Sequence, residues 1–185
     1  MSWSLFKQNI KNVEDHPENI KSVNQIAHLY ATEYDAAIKR GGDLVNHIPI
    51  MTGNVGALES MMLLALNSGL NSQGTYNLVH QMGPGIILYW TGATMMTAPV
   101  PITPAIGAIV NTACTAGICN NPGQWNEVQP PPQPADSTSP MVDQFIAYAK
   151  IHLTTIGGMF NTISLYPPLA SPGPGVVMWN GYMVP

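Results

Sequence analysis

Ser4 and Lys7 stand in the spacing Ser-x-x-Lys, His28 is followed by Glu33 and Tyr34, Cys114 and Cys119 enclose four residues in "CTAGIC", and His80 lies in an uncharged stretch. These are the residues whose types could do chemistry. Ser-x-x-Lys activates a serine nucleophile in penicillin-binding sites, but the companion elements of such a site are missing, so Ser4 reads as helix surface. The cysteine spacing fits neither a redox pair nor half of a zinc site, and two buried or idle thiols are expected. His16, His28, His47, His80 and His152 include no i, i+4 pair. Glu33 and Asp35 are two apart and point to different helix faces, so no carboxylate pair is supported for acid-base work.

There is no Gly-x-Ser-x-Gly, no His-Glu-x-x-His, no phosphate-binding loop and no calcium loop. The expectation is therefore a chain with no catalytic residues, no cofactor, no metal and no small-molecule substrate. The competing class is an enzyme or ligand-binding protein whose site is assembled from scattered residues such as His28, Glu33, Tyr34 and His80, which leaves no local motif. A pocket bringing two of these side chains within hydrogen-bond reach would favour it.

Charge says more than the motifs do. Of 185 residues only 9% are Asp, Glu, Lys or Arg, against roughly a quarter in an average soluble domain. Residues 1–59 hold twelve of the sixteen charges, and residues 60–126 hold none. A stretch this long without charge implies surface covered by lipid, by a partner chain or by the protein's own N-terminal part. Lipid is the weaker reading, because Pro84, Pro99, Pro101 and Pro104 cut the stretch into pieces shorter than the roughly 20 residues of a spanning helix. No membrane span and no secretory signal are expected. Six basic residues and a net charge of −4 disfavour a nucleic-acid partner.

The elements that must position these residues are legible in places. Residues 2–45 read as helix, broken at His16-Pro17 and restarted at Ser22, where "SVNQ" fits a capping box. Val23, Ile26, Ala27, Tyr30, Tyr34, Ala37 and Ile38 form one apolar face, ended by Gly41-Gly42. A third helix begins after Asn54 and runs to Gly69, apolar on most sides and expected to be buried between the first two; "TYNLVHQM" adds a turn or two. A helix starts again at Ser139-Pro140, carrying Val142, Phe145, Ile146, Ala149, Leu153 and Ile156 on one stripe, with "MFNTISLY" as its continuation.

Between them, "GPGIILYWTG" from Gly83 and "GPGVVMWNG" from Gly173 share Gly-Pro-Gly, two β-branched residues, a Trp and a turn glycine. Each reads as a strand with a turn after it. The two either pair in one small sheet, or offer edges to a neighbouring subunit, or merely converge on the same strand-turn chemistry. The alternating prolines of "APVPITPA" favour extended or edge-strand backbone, and residues 120–140 read as a stiff proline-rich linker or strap.

The stretch "HPENIKSVNQIAHLYATEYDAAIKRGGDLVNHIPIMTGNVGALESMMLLALNSG", followed by "GPGIILYWTGA" and a proline-rich segment, resembles small structural proteins of T4-like, contractile-tailed bacteriophages. The resemblance covers about the first half of the chain and carries over no site residues. It implies a non-enzymatic virion component of the tail, baseplate or neck, or else a capsid-associated protein, made in the host cytoplasm and bound to copies of itself and to other virion proteins.

The expected fold is α+β, mainly α: a helical domain over 1–82, an uncharged extended or β arm with a proline-rich linker over 83–138, and a helix plus C-terminal strand over 139–185. The expected contact residues are Ile86, Ile87, Trp90, Val176, Val177 and Trp179, with Pro99, Pro101 and Pro104 holding the arm extended.

Overall fold

The computed structural model describes residues 2–16, 18, 22–44, 47–69, 74–95, 99–101, 111–125, 140–164 and 174–185. Helix α1 (Ser2–Glu14) buries Trp3, Phe6 and Ile10, one face at helical spacing. Helix α2 (Val23–Ile38) starts where the sequence places it: the Ser22 side chain accepts a hydrogen bond from the Gln25 N–H, 3.4 Å away. Its buried face is Ala27, Tyr30, Ala31, Tyr34, Ala37 and Ile38. The chain then leaves the helix through Lys39, Arg40 and Gly41.

Helix α3 (Val55–Gly69) is capped by Asn54, whose Oδ1 accepts from the Ala57 N–H at 3.1 Å. It packs against α2, but it is not buried on all sides as its composition suggests, since Leu64 remains 60% exposed. Helix α4 (Gly74–Gln81) follows, and then helix α5 (Gly83–Trp90).

Helix α5 is a correction. "GPGIILYW" is not a strand but two turns of helix with Pro84 in the first turn, where a missing N–H costs nothing. Packing overrides the β preference of Ile86-Ile87 here, and the glycines explain how. A Cβ on Gly85 would lie 2.9 Å from Met61 Cβ, and one on Gly83 would lie 2.5 Å from the Trp125 ring. The two glycines serve close approach of α3 and of Trp125, and the helix they open is buried along Ile86, Tyr89 and Trp90.

The strands are β1 (Gly42–Asp43), β2 (Ile50–Thr52), β3 (Thr94–Met95), β4 (Pro99–Pro101), β5 (Asn111–Asn121), β6 (Gly157–Ser164), β7 (Pro174–Asn180) and β8 (Tyr182–Met183). A six-stranded antiparallel sheet runs β2-β3-β5-β6-β7, with β4 also paired to β5, and β1 pairs with β8 in a separate ribbon. Long β5 is the backbone of the sheet, with bulges between Cys114 and Ala116 and between Cys119 and Asn121. "GGMFNTIS" is a second correction. It does not continue helix α6 (Pro140–Leu153), which has already ended at Leu153, but forms β6, whose opening Gly157-Gly158 lets other groups approach. A Cβ on Gly158 would lie 2.7 Å from Trp179 Nε1.

The second Gly-Pro-Gly stretch does become a strand, β7, in register with β6: Val177 opposite Phe160 and Val176 opposite Asn161. One copy being helix and the other strand, they do not pair. What they share comes at their ends. Trp90 and Trp179 are both fully buried, and Gly92 and Gly181 both take left-handed backbone, with φ of 71° and 75°.

The fold class among the described residues is mixed α+β, with six helices and two sheets. The expected division at 82/83 and 138/139 does not separate cores. One hydrophobic cluster draws Phe6, Tyr34, Met62, Ile86, Trp90, Cys119, Phe145, Phe160, Trp179 and Val184 together from all three stretches. The end of the chain is woven in as well: the Tyr182 hydroxyl donates to Ile38 O at 2.8 Å and accepts from the Ile50 N–H at 3.0 Å. No helix among the described residues is long and apolar enough to cross a membrane.

Candidate functional site

Helices α3 and α5 lie side by side at the closeness that Gly85 permits, and between their outward faces runs a groove of about 1150 Å³. From α3 it takes Met61, Leu64, Ala65 and Ser68, spaced i, i+3, i+4 and i+7 along one helix face. From α5 it takes Pro84, Ile87 and Leu88, and from α4 His80 and Gln81. Residues 123–125 close the far side, with the Trp125 ring as the wall. Among the described residues no Asp, Glu, Lys or Arg lines it. Leu64 is 60% and Leu88 43% exposed, which is unusual for two leucines on neighbouring helices. The polar rim is small: Ser68 Oγ donates to Gln81 Oε1 at 2.7 Å and so ties α3 to α4.

The Trp125 wall is held from behind by α6. The indole stacks on Tyr148 with centroids 5.4 Å apart, and also meets Phe145 at 5.9 Å and His152 at 5.7 Å. The backbone leading to it is pinned to the end of α6. His152 Nε2 donates to Pro122 O at 2.7 Å, and the Gln124 N–H donates to Thr155 Oγ1 at 3.1 Å. Gly123 passes through with φ of 75°, in a space where a Cβ would lie 2.6 Å from Thr155 Oγ1. Since a carbonyl can only accept, His152 carries its proton on Nε2, and its Nδ1 is buried without a hydrogen-bond partner among the described residues. Burial pushes the imidazole down to about 4, with the Pro122 carbonyl working in the opposite direction.

The chemical candidates of the sequence are dispersed. His28 faces Glu59 at 3.0 Å on the surface between α2 and α3, Glu33 accepts from Asn9 Nδ2 at 2.8 Å, and Tyr34 accepts from Trp90 Nε1 at 2.9 Å in the core. Each has a partner from outside the set, and only His80 reaches the groove. Burial raises the hydroxyl pKa values of Tyr34, Tyr89 and Tyr182, so these phenols hold their protons; Tyr89 donates to Asp35 and Tyr182 to Ile38 O, while Tyr34 accepts from Trp90. Cys119 is a free thiol pushed up to about 11 by burial, a poor nucleophile. Among the described residues no group of three His, Cys, Asp or Glu side chains is placed to hold a metal ion.

Of the expected contact residues, Ile86, Trp90 and Trp179 are corrected to core: none has accessible surface, because the helix or strand carrying each turns it inward. Ile87 lines the groove. Pro99 and Pro101 lie in β4, opposite Ala113 and Asn111. Val176 and Val177 lie in β7, the outer strand of the sheet, and Pro104 and residues 126–139 of the proline-rich segment fall outside the described residues. Trp125 went unnoticed in the sequence, where only its place in a glycine-proline context hinted at a fixed turn. Leu64 was visible there as an apolar residue on a helix with no polar face.

Against protein-family models, curated proteins and solved structures, the chain has no match.

Proposed function

We propose that this chain is a non-enzymatic assembly component of a bacteriophage virion, in the tail, baseplate or neck, whose work is to bind copies of itself and other virion proteins. The observation that carries the assembly part is the groove. Two exposed leucines on adjacent helices flank a concave surface with no charged side chain among its described residues, inside a segment of sixty-seven residues that has none. A helix of a neighbouring subunit laid between α3 and α5 would meet anchors at helical spacing on both walls. The outer strand β7 offers a second contact through its backbone. The virion part rests on the sequence resemblance, and a capsid-associated position is the alternative within it.

The test is the molar mass of the purified chain by light scattering across a wide concentration range, for the wild type and for Leu64→Glu with Leu88→Glu. The expected result is a defined oligomer, or mass rising with concentration, that the double variant returns to monomer. A wild type that stays monomeric throughout would overturn the assembly reading.

The second reading, a binding protein for a small apolar ligand, is supported by the concavity of the same groove and its Ser68–Gln81 rim, since ligand pockets are apolar clefts with few polar groups. A monomer that gains thermal stability with a neutral apolar compound, and loses that gain on Leu64→Glu, would favour it.

A further inference from the structure

The groove has one wall that is not part of a helix. Trp125 is presented by a five-residue crossing, 121–125, between the end of β5 and the body of α6. Besides the Cys119 thiol's donation to Asn121 O at 3.3 Å, four hydrogen bonds shape that crossing. His152 Nε2 donates to Pro122 O at 2.7 Å, the Gln124 N–H donates to Thr155 Oγ1 at 3.1 Å, Asn121 Nδ2 donates to Thr155 O at 3.4 Å, and the Gly123 N–H turns back onto Asn121 Oδ1 at 3.2 Å. The first is the shortest, and among these bonds it alone comes from a group that gains a charge in acid.

We propose that residues 121–125 form an acid-released clasp: protonation of His152 expels the imidazole from its buried seat, frees Pro122, and lets Trp125 leave the groove wall, switching off the contact face. The inference rests on the assembly reading for its last step only.

The geometry requires the first steps. Neutral His152 spends its single N–H on Pro122 O, and Nδ1 lies buried with no partner among the described residues. Adding a proton there creates a buried N–H and a charge with nothing to receive either, so the ring must turn to water and give up the Nε2 bond. Among the described residues no ionisable group is within hydrogen-bond reach of Nδ1. On α6 itself Asp143 is engaged with Lys7 of α1, and Lys150 is exposed and cationic. The further titratable groups on elements packed against α6 are Lys11 and Glu14 of α1, Tyr76 and His80 of α4 and Tyr182 of β8, with Tyr148 on α6 itself and Cys119 near the end of β5. The low affinity of His152 for a proton arises from burial, with no ionised neighbour contributing. Trp125 would then keep its stack on Tyr148 only against a backbone no longer fixed at Pro122.

The experiment follows the His152 ring and the Trp125 indole resonance by NMR from pH 7.5 to 4 in the full chain, with Trp125→Phe as assignment, alongside light scattering of wild type and His152→Gln. Gln can donate to Pro122 O but cannot take a proton. The expected result is that His152 titrates well below 6.5, Trp125 shifts in the same step and the oligomer dissociates with it, whereas His152→Gln keeps both unchanged over that range. His152 titrating near 6.5 with Trp125 unmoved would overturn the clasp, as would an identical acid transition in His152→Gln. Should the variant not fold, coincidence or separation of the two wild-type resonances decides. If Trp125 moves with His152 in a chain that is monomeric at every pH, the clasp stands and the assembly reading fails.

Discussion

Trp90 donates its indole N–H to the hydroxyl of Tyr34 across 2.9 Å, joining α5 to α2 at a point where both rings are shut off from water. The contact couples a large apolar area to a directed bond, since an indole buried without a partner would lose its hydration for nothing. Tyr34 in turn meets Tyr89 edge to face at 5.2 Å, and Tyr89 donates to Asp35 Oδ1 at 2.8 Å while Lys39 holds Oδ2 at 2.7 Å. The centre of the protein is therefore an aromatic cluster with a polar thread running out to the surface.

Trp90→Phe should cost about 1–3 kcal/mol, from the lost hydrogen bond and the smaller ring together. Urea unfolding checks it. A change below about 0.5 kcal/mol would mean that Tyr34 and Trp90 do not depend on one another.

Trp179→Ala should destabilise by about 3–5 kcal/mol, as a large aromatic removed from a packed core does. Because the ring faces inward over Gly158, association measured on the fraction that remains folded should be unchanged. Association lost at unchanged stability would restore Trp179 to the contact surface.

Gly85→Ala and Gly56→Ala form a matched pair within helices. The first places a Cβ 2.9 Å from Met61 Cβ and 3.3 Å from Leu58, and should cost about 1–3 kcal/mol by forcing α5 off α3. The second meets nothing within 4 Å and should stabilise by about 0.5 kcal/mol. Thermal melts of the two variants should move in opposite directions.

Stability should fall with acid through His152. Its folded pKa, about 4, lies below the ordinary 6.5, so the unfolded chain takes the proton first. The contribution is present in full above pH 6.5 and is lost as the pH falls toward 4, up to a ceiling on the order of 3 kcal/mol. The difference between wild type and His152→Gln in urea midpoints at pH 7 and pH 4.5 reads it directly. Parallel pH dependence in the two would sink the attribution.

The parts of the fold legible in the sequence were those fixed by short-range chemistry. Ser22 and Asn54 announce their helices because a capping side chain acts within three residues. Ile86 and Val176 stand in nearly the same local text, and one is in a helix, the other in a strand. What separates them is the partner: Met61 and Leu58 lie against the first stretch, and β6 runs alongside the second. The groove was half legible. The missing charge over 60–126 marked the segment, but which of its apolar residues turn outward depends on how α3, α5 and α6 are set against one another. Trp125 is the clearest case, since its place is decided by Tyr148 and His152, both more than twenty residues away in the chain.

The bond from the Tyr182 hydroxyl to Ile38 O spans 144 positions. Contacts of such separation form slowly, because a long loop must close before they are rewarded. On the ribosome α2 emerges long before Tyr182 does, so its C-terminal carbonyl must wait for a partner made 144 residues later. Through that interval the Trp90 ring lacks the edge-on cover that Tyr182 gives it at 5.1 Å, so the aromatic centre is completed only when Tyr182 arrives.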